Sequence, residues 1–327
     1  MNCNPKYFLD LSEEIINGYK PDIEEYRTIA LIPDESVFSL LAGSNLIREA
    51  FRGNSIHICT ICNGKSGHCT EDCSFCSQST VSKSSITTHA LLPKQILQEG
   101  AIKAIDTPIN RYSIVTSGKR LPIKEVQTIA DALSELNQKT LDYCVSLGTL
   151  KNEEFDILIK AGITRYHHNL EASKSHFPTI CSSHSFKERL ETIQYAKKAG
   201  LSVCSGGIFG TGESDEQILE LAISLKQLDV DSIPINFLTP IKGTPLESQN
   251  SLTPLRCLKI ISLFRYVLPE REIIICGGRI QNLQDLHPFI FHAGASGIMT
   301  GNYLTTEGQT LKKDLKLLEI LELQPRK

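Results

Sequence analysis

The sequence predicts a single α/β domain, a (β/α)8 barrel of the TIM type with an N-terminal helical extension. Three observations predict it: eight short strand-like runs alternate with longer helical patterns, proline and glycine mark element ends, and no linker or low-complexity segment divides the chain. An open doubly wound sheet is the alternative the pattern leaves.

The elements follow in order. Residues 9–30 and 37–51 carry helical periodicity and make up an N-terminal region, 1–52, ahead of a barrel over 53–306 and a C-terminal helix within 307–327. Strand runs fall at 55–62, 112–117, 141–147, 164–171, 201–208, 231–238, 272–276 and 296–300. Between them lie helical stretches at 93–105, 123–137, 186–199, 216–228 and 254–268. Pro93, Pro122 and Pro254 suit a first helical turn, Ser214 suits an N-cap, and Gly162 and Gly200 suit helix ends.

Composition narrows the function. The 327 residues are 41% hydrophobic and 22% charged, an ordinary globular mixture that excludes a mainly disordered chain. Basic and acidic side chains number 34 and 37, so charge gives no footing for nucleic acid or an anionic membrane as partner. No apolar run approaches the roughly 18 residues of a membrane span. The N-terminus lacks a basic stretch followed by an apolar core, so no secretory signal is expected and a reducing, cytoplasmic location is predicted. In that setting 11 cysteines point to metal or redox chemistry more than to disulfides.

Strand alternation places some of these cysteines. Leu141, Tyr143, Val145 and Leu147 oppose Asp142, Cys144 and Ser146; Ile56 and Ile58 oppose His57 and Cys59. Leu201 and Val203 oppose Ser202 and Cys204, and Tyr166, His168 and Leu170 oppose Arg165, His167, Asn169 and Glu171. One strand face is repeatedly polar, which predicts a lumen that holds ligands. By the same parity Cys62 faces away from Cys59, while Cys3 and Cys257 are expected on terminal or helical surface.

The strongest motif is Cys69-Thr-Glu-Asp-Cys73-Ser-Phe-Cys76, a C-x3-C-x2-C spacing after the first strand. Three thiolates this close can hold three irons of a 4Fe–4S cluster and leave the fourth open to a ligand. A zinc site completed by His68 or His57, or free buried thiols, are the other readings.

That spacing, with Phe75 before the last cysteine, resembles the radical S-adenosylmethionine enzymes. The stretches CTEDCSFCSQS (69–79), RYHHNLEAS (165–173), VCSGGIFGTGES (203–214), SIPINFLTPIKGTPLE (232–247) and CGGR (276–279) resemble the biotin synthase family within them. The resemblance implies reductive cleavage of S-adenosylmethionine and sulfur insertion into dethiobiotin. It places Cys69, Cys73 and Cys76 on the 4Fe–4S cluster. Phe75, Asn169, Glu171, Gly207, Ile208 and Gly210 fall on S-adenosylmethionine, and Asn169, Asn236, Thr305 and Thr306 on the substrate. Glu171 and His167 stand where the family often has Asp and Asn.

An auxiliary iron–sulfur cluster is implied as sulfur donor, with Cys144 and Cys204 at matching positions. Ser113 and Ile274 stand where a third cysteine and an arginine are expected, so the ordinary 2Fe–2S shell is lost and a rebuilt one, holding a 2Fe–2S or larger cluster, is expected. Cys59 is the leading recruit, Cys181 the next, and Cys276 a further candidate. A flavodoxin or ferredoxin as electron donor and a homodimer are also implied. A hydrogenase-maturase-like or methylornithine-synthase-like barrel, or a non-catalytic iron–sulfur carrier, are the rival readings.

Overall fold

The computed structural model describes residues 4–136 and 141–326. Cys3 and the expected helix end at Asn137 lie outside the described residues. The chain begins with three helices, α1 (Pro5–Ile16), α2 (Ile23–Ala30) and α3 (Phe38–Arg52). The single helical pattern expected over 9–30 is thus two helices, because Gly18 turns the chain in the left-handed region (φ 97°).

The barrel then alternates β1 (Ser55–Lys65), α4 (Lys94–Ile105), β2 (Arg111–Thr116), α5 (Ile123–Ser134), β3 (Asp142–Ser146), α6 (Asn152–Lys160) and β4 (Arg165–His167). It continues through α7 (Phe177–Ile180), α8 (Phe186–Lys198), β5 (Ser202–Cys204), β6 (Gly207–Phe209), α9 (Asp215–Gln227), β7 (Ser232–Phe237) and α10 (Pro254–Val267). It ends with β8 (Glu272–Ile275), α11 (Arg279–Leu283), β9 (Gly297–Met299), α12 (Leu311–Ile320) and β10 (Gln324–Pro325). Every strand pairs in parallel with its neighbour, and β9 returns to β1 to close the ring. β5 and β6 together make one stave of the eight, interrupted at Ser205 and Gly206. A Cβ on Gly206 would lie 2.0 Å from the Pro234 carbonyl oxygen, so the break passes too close to β7 for any side chain.

Most helix boundaries follow local chemistry. Ser214 caps α9 through a capping box with Gln217, and Thr253 caps α10 with Pro254 at its first position. Pro93 and Pro122 sit one residue earlier than expected, at the N-cap positions of α4 and α5. The apolar strand faces (Ile58, Ile114, Val145, Tyr166, Val203, Ile235) pack outward on the helices. Cys257, expected on a helix surface, is fully buried. The reason is that α2, α3 and α9 all pack on α10, so the extension covers what would otherwise be its exposed side.

Candidate active site

The cysteine loop leaves the C-terminal end of β1 and is pinned at its base, where Ser66 and His89 exchange backbone hydrogen bonds of 3.1 and 3.0 Å. Inside it, Cys76 N–H donates to Cys73 O and Ser79 N–H to Cys76 O, each at 3.1 Å. These two tight turns fix the backbone on either side of Cys76. Phe75 and Cys76 line a cavity of about 350 Å³ in the barrel mouth, whereas Cys69 and Cys73 do not line it. Burial foremost pushes the Cys76 thiol up to about 11. Neither His57 nor His68 converges with the loop thiols. Among the described residues the one group of three ligand atoms within 4.8 Å of one another is Cys73, Cys181 and His184.

Below the loop the polar strand faces meet as the alternation predicts. Cys59 from β1, Cys144 from β3, Cys204 from β5 and Cys276 just beyond β8 all line the cavity and are all buried. Burial raises all four thiols; Cys204 reaches about 12, with neighbouring Cys144 adding to the shift and Arg165 opposing it. A bound cation offsets that cost by stabilising the thiolates. Ser113 and Ile274 line the same space and bring no sulfur. Cys181 does not join this group. It follows α7, which folds back onto the cysteine loop, and its Sγ lies 3.8 Å from Cys73 Sγ.

A buried ion network around Glu272 lies beneath the thiols. Glu272 lies 3.0 Å from Arg165, 2.6 Å from Arg326 and 3.2 Å from Arg52. Burial alone would raise its carboxyl, but the field of His57, Arg165 and Arg326 holds it well below the usual range. His57, 3.6 Å from Glu272, is pulled down to about 4 by burial and the surrounding arginines, so it is neutral at pH 7. Arg165 belongs to the polar face read above, and Arg111, which also lines the cavity, shares the parity of Ser113; that is the signal that could have found them. Glu272 has no such signal, because its partners are scattered along the chain.

The middle of the cavity carries the polar side chains expected to bind ligands. Asn169 accepts from Gly206 N–H at 3.1 Å and donates to Glu171 at 3.2 Å. Glu171 is a non-glycine residue at φ 71°, strained backbone of the kind that collects at functional sites. Burial raises its carboxyl, with Arg189, 3.7 Å away, opposing the shift. Asn236 accepts from Gly277 N–H at 3.0 Å and donates to Gly207 O at 3.3 Å. Ile208, Thr305 and Thr306 complete this belt, and Ser77 donates to Thr305 at 3.1 Å, tying the cysteine loop to the neighbouring loop after β9. Gly207 and Gly210 stand next to the cavity rather than in its lining. Their glycine requirement comes from protein: added Cβ atoms would lie 2.5 Å from Glu171 O and 2.6 Å from Leu252.

Comparison with known proteins decides the family. Residues 65–225 match the Radical SAM superfamily and residues 234–324 the Biotin and Thiamin Synthesis associated domain. The chain is 49% identical to the biotin synthase of Desulfatibacillum aliphaticivorans, over 97% of both chains. The chain belongs to the biotin synthase family. The biotin synthase of Persephonella marina is 46% identical over 95% of this chain and 93% of its own. Beyond the biotin synthases, methylornithine synthase superposes with a TM-score of 0.81 at 22% identity, covering 97% of each chain. A maturase of the FeFe-hydrogenase gives 0.82 at 16%, covering 98% of this chain and 76% of its own. At those identities the likeness is one of fold. The two matched regions together span most of the barrel; the first ends in the last turn of α9 and the second begins within β7.

Proposed function

We propose that this chain converts dethiobiotin to biotin by radical sulfur insertion, acting as one domain. The observation that carries this reading is the lumen itself: four buried thiols beneath a three-cysteine loop, in a chain of the biotin synthase family. Family membership implies a 4Fe–4S cluster and S-adenosylmethionine; together they supply a 5′-deoxyadenosyl radical able to take hydrogen from unactivated carbon. The donor set fits such a group, since Cys69, Cys73 and Cys76 offer three thiolates and leave one iron for a small ligand.

The chain's own residues bind, orient and exclude water. We assign Phe75 to the adenine edge of S-adenosylmethionine, beside Ile208 and the Gly207–Gly210 backbone. Asn169 and Glu171 accept from the ribose hydroxyls; as a carboxylate, Glu171 can take both. Asn236 keeps acceptor and donor capacity beyond its two bonds, and we assign it to the ureido ring, with Thr305 and Thr306 also on the substrate. Ile61, Val115, Ile208, Ile274 and Met299 give the cavity an apolar wall that keeps a reactive carbon centre from water.

For the auxiliary cluster we propose Cys59, Cys144, Cys204 and Cys276 as ligands, with Cys276 in the place first expected of Cys181. A flavodoxin or ferredoxin donor, a homodimer and a cytoplasmic location fit this chemistry. Among the described residues no helix is long and apolar enough to cross a membrane. The rival barrel chemistries leave the four lumen thiols without a use. Anaerobically reconstituted protein supplied with S-adenosylmethionine, a chemical reductant and dethiobiotin should form biotin together with 5′-deoxyadenosine. Formation of 5′-deoxyadenosine that dethiobiotin neither stimulates nor couples to biotin would move the assignment to the rival enzymes.

A further inference from the structure

Cys73 and Cys181 face each other across two segments that are stitched together along their length. Ser74 N–H donates to Ile180 O at 2.8 Å, and the Asp72 carboxylate accepts from the backbones of Ser182 and Ser183 at 2.9 and 3.0 Å. Ser183 Oγ accepts from Asp72 N–H at 3.1 Å and donates to Glu71 at 2.8 Å. This frame holds the two buried sulfur atoms 3.8 Å apart.

His184 stands beside them, 3.3 Å from Cys181 Sγ, and invites a metal reading. Its hydrogen bonds argue otherwise. Nε2 accepts from Arg189 Nε at 2.9 Å, so Nδ1 carries the proton, donated to Glu71 at 2.5 Å. Neither nitrogen has a free lone pair, and Arg189 brings positive charge to the spot. The chemistry left to the two thiols is with each other.

We propose that in the cluster-free chain Cys73 and Cys181 form a reversible disulfide that withdraws Cys73 until it is reduced. The bond rests on the geometry alone; its effect on cluster loading rests on the reading of Cys73 as a cluster ligand. Closing from 3.8 Å to the ~2.05 Å of an S–S bond asks for side-chain rotation within a frame already in register. With hydrogen peroxide as oxidant, one thiol becomes a sulfenic acid and releases water. The second thiol displaces a second water as the S–S bond forms. In all, two thiols give up two protons and two electrons, and one peroxide becomes two waters. A dithiol reductant reverses the bond. The disulfide keeps Cys73 off the irreversible sulfinic step while no cluster protects it.

The test treats cluster-free protein with one equivalent of peroxide, alkylates it, digests it without reduction and maps cross-links by fragmentation mass spectrometry. The expected product links Cys73 to Cys181 and is absent from Cys181→Ser. Treated wild-type protein should then lose the ability to take up the radical cluster, measured as bound iron and sulfide, and dithiothreitol should restore it. Links confined to Cys69, Cys73 and Cys76, or sulfinic acid at Cys73 with no link to Cys181, would overturn the proposal. Cys181→Ser that has met no oxidant should load iron like wild type, which separates the disulfide from a ligand role. Failure of the ligand reading shows differently: Cys73→Ser would keep the radical-cluster iron, whatever the cross-link map reports.

Discussion

Glu171 combines three properties that rarely meet in a structural residue: a left-handed backbone, a half-buried side chain, and a carboxyl raised by desolvation with one arginine nearby. If its carboxylate accepts from the ribose diol, Glu171→Ala weakens S-adenosylmethionine binding about ten- to a hundredfold, the range for hydrogen bonds to a charged group. Protonation removes acceptor capacity, and the raised pKa means that this occurs at a higher pH than for an ordinary glutamate. Affinity should therefore fall as pH drops towards that raised value, and Glu171→Gln should flatten the profile; calorimetric titration across pH reads both. An unchanged profile in Glu171→Gln would remove the residue from the site. This scale was the most legible in sequence for the lumen thiols, because a period of two decides which side of a strand a cysteine takes. Cys181 was misjudged for the opposite reason. Its partner lies 108 residues away in the cysteine loop, a contact that no periodicity encodes.

The elements show where local pattern is overruled by packing. The run over 164–171 reads as one strand, yet β4 ends at His167 and Glu171 keeps only an isolated bridge to Gly207. The run over 201–208 breaks into β5 and β6 because β7 passes beside Gly206. Both departures sit at the cavity wall, which Glu171 and Ile208 line. At the top of the barrel, Arg279 of the CGGR stretch holds α12 in place. It donates to both oxygens of Asp314, at 2.9 and 3.1 Å, and contacts His287 at 2.8 Å, with Arg279 and Asp314 wholly buried. Removing one partner leaves an uncompensated buried charge, so Arg279→Ala should cost about 3–5 kcal/mol in denaturant unfolding. A loss below about 1 kcal/mol would mean that α12 is held chiefly by its apolar contacts.

Buried histidines and a buried glutamate couple the fold to pH. His57 and His167 are both pulled down to about 4, chiefly by burial, whereas in the unfolded chain they titrate near 6.5. Their neutral forms favour the native state fully above pH 6.5, and that contribution is lost as pH falls through 6.5 towards 4. Glu272, held low by His57 and its arginines, keeps its contribution above its ordinary value near 4.5 and loses it only in more acidic solution. Thermal stability of the cluster-free chain should thus decline first between pH 6.5 and 4; Glu272→Gln should lower it at neutral pH as well, by breaking a buried ion network. A flat melting temperature over that window would contradict the burial of the two histidines. The barrel itself was readable from alternating elements, since each strand needs a helix to cover its apolar side. The arginine–glutamate floor was not, because it is assembled from Arg52, Arg165, Glu272 and Arg326, which only barrel closure brings together.

The proposed second cluster, held by four lumen thiols beneath the first, joins these scales. It is tested most directly by iron, sulfide and Mössbauer analysis of the Cys69→Ala, Cys73→Ala, Cys76→Ala triple variant after anaerobic reconstitution. A cluster that persists in this variant and disappears on further change of Cys204 or Cys276 is the predicted result. A triple variant that holds no iron, from a wild type that still makes biotin, would contradict it.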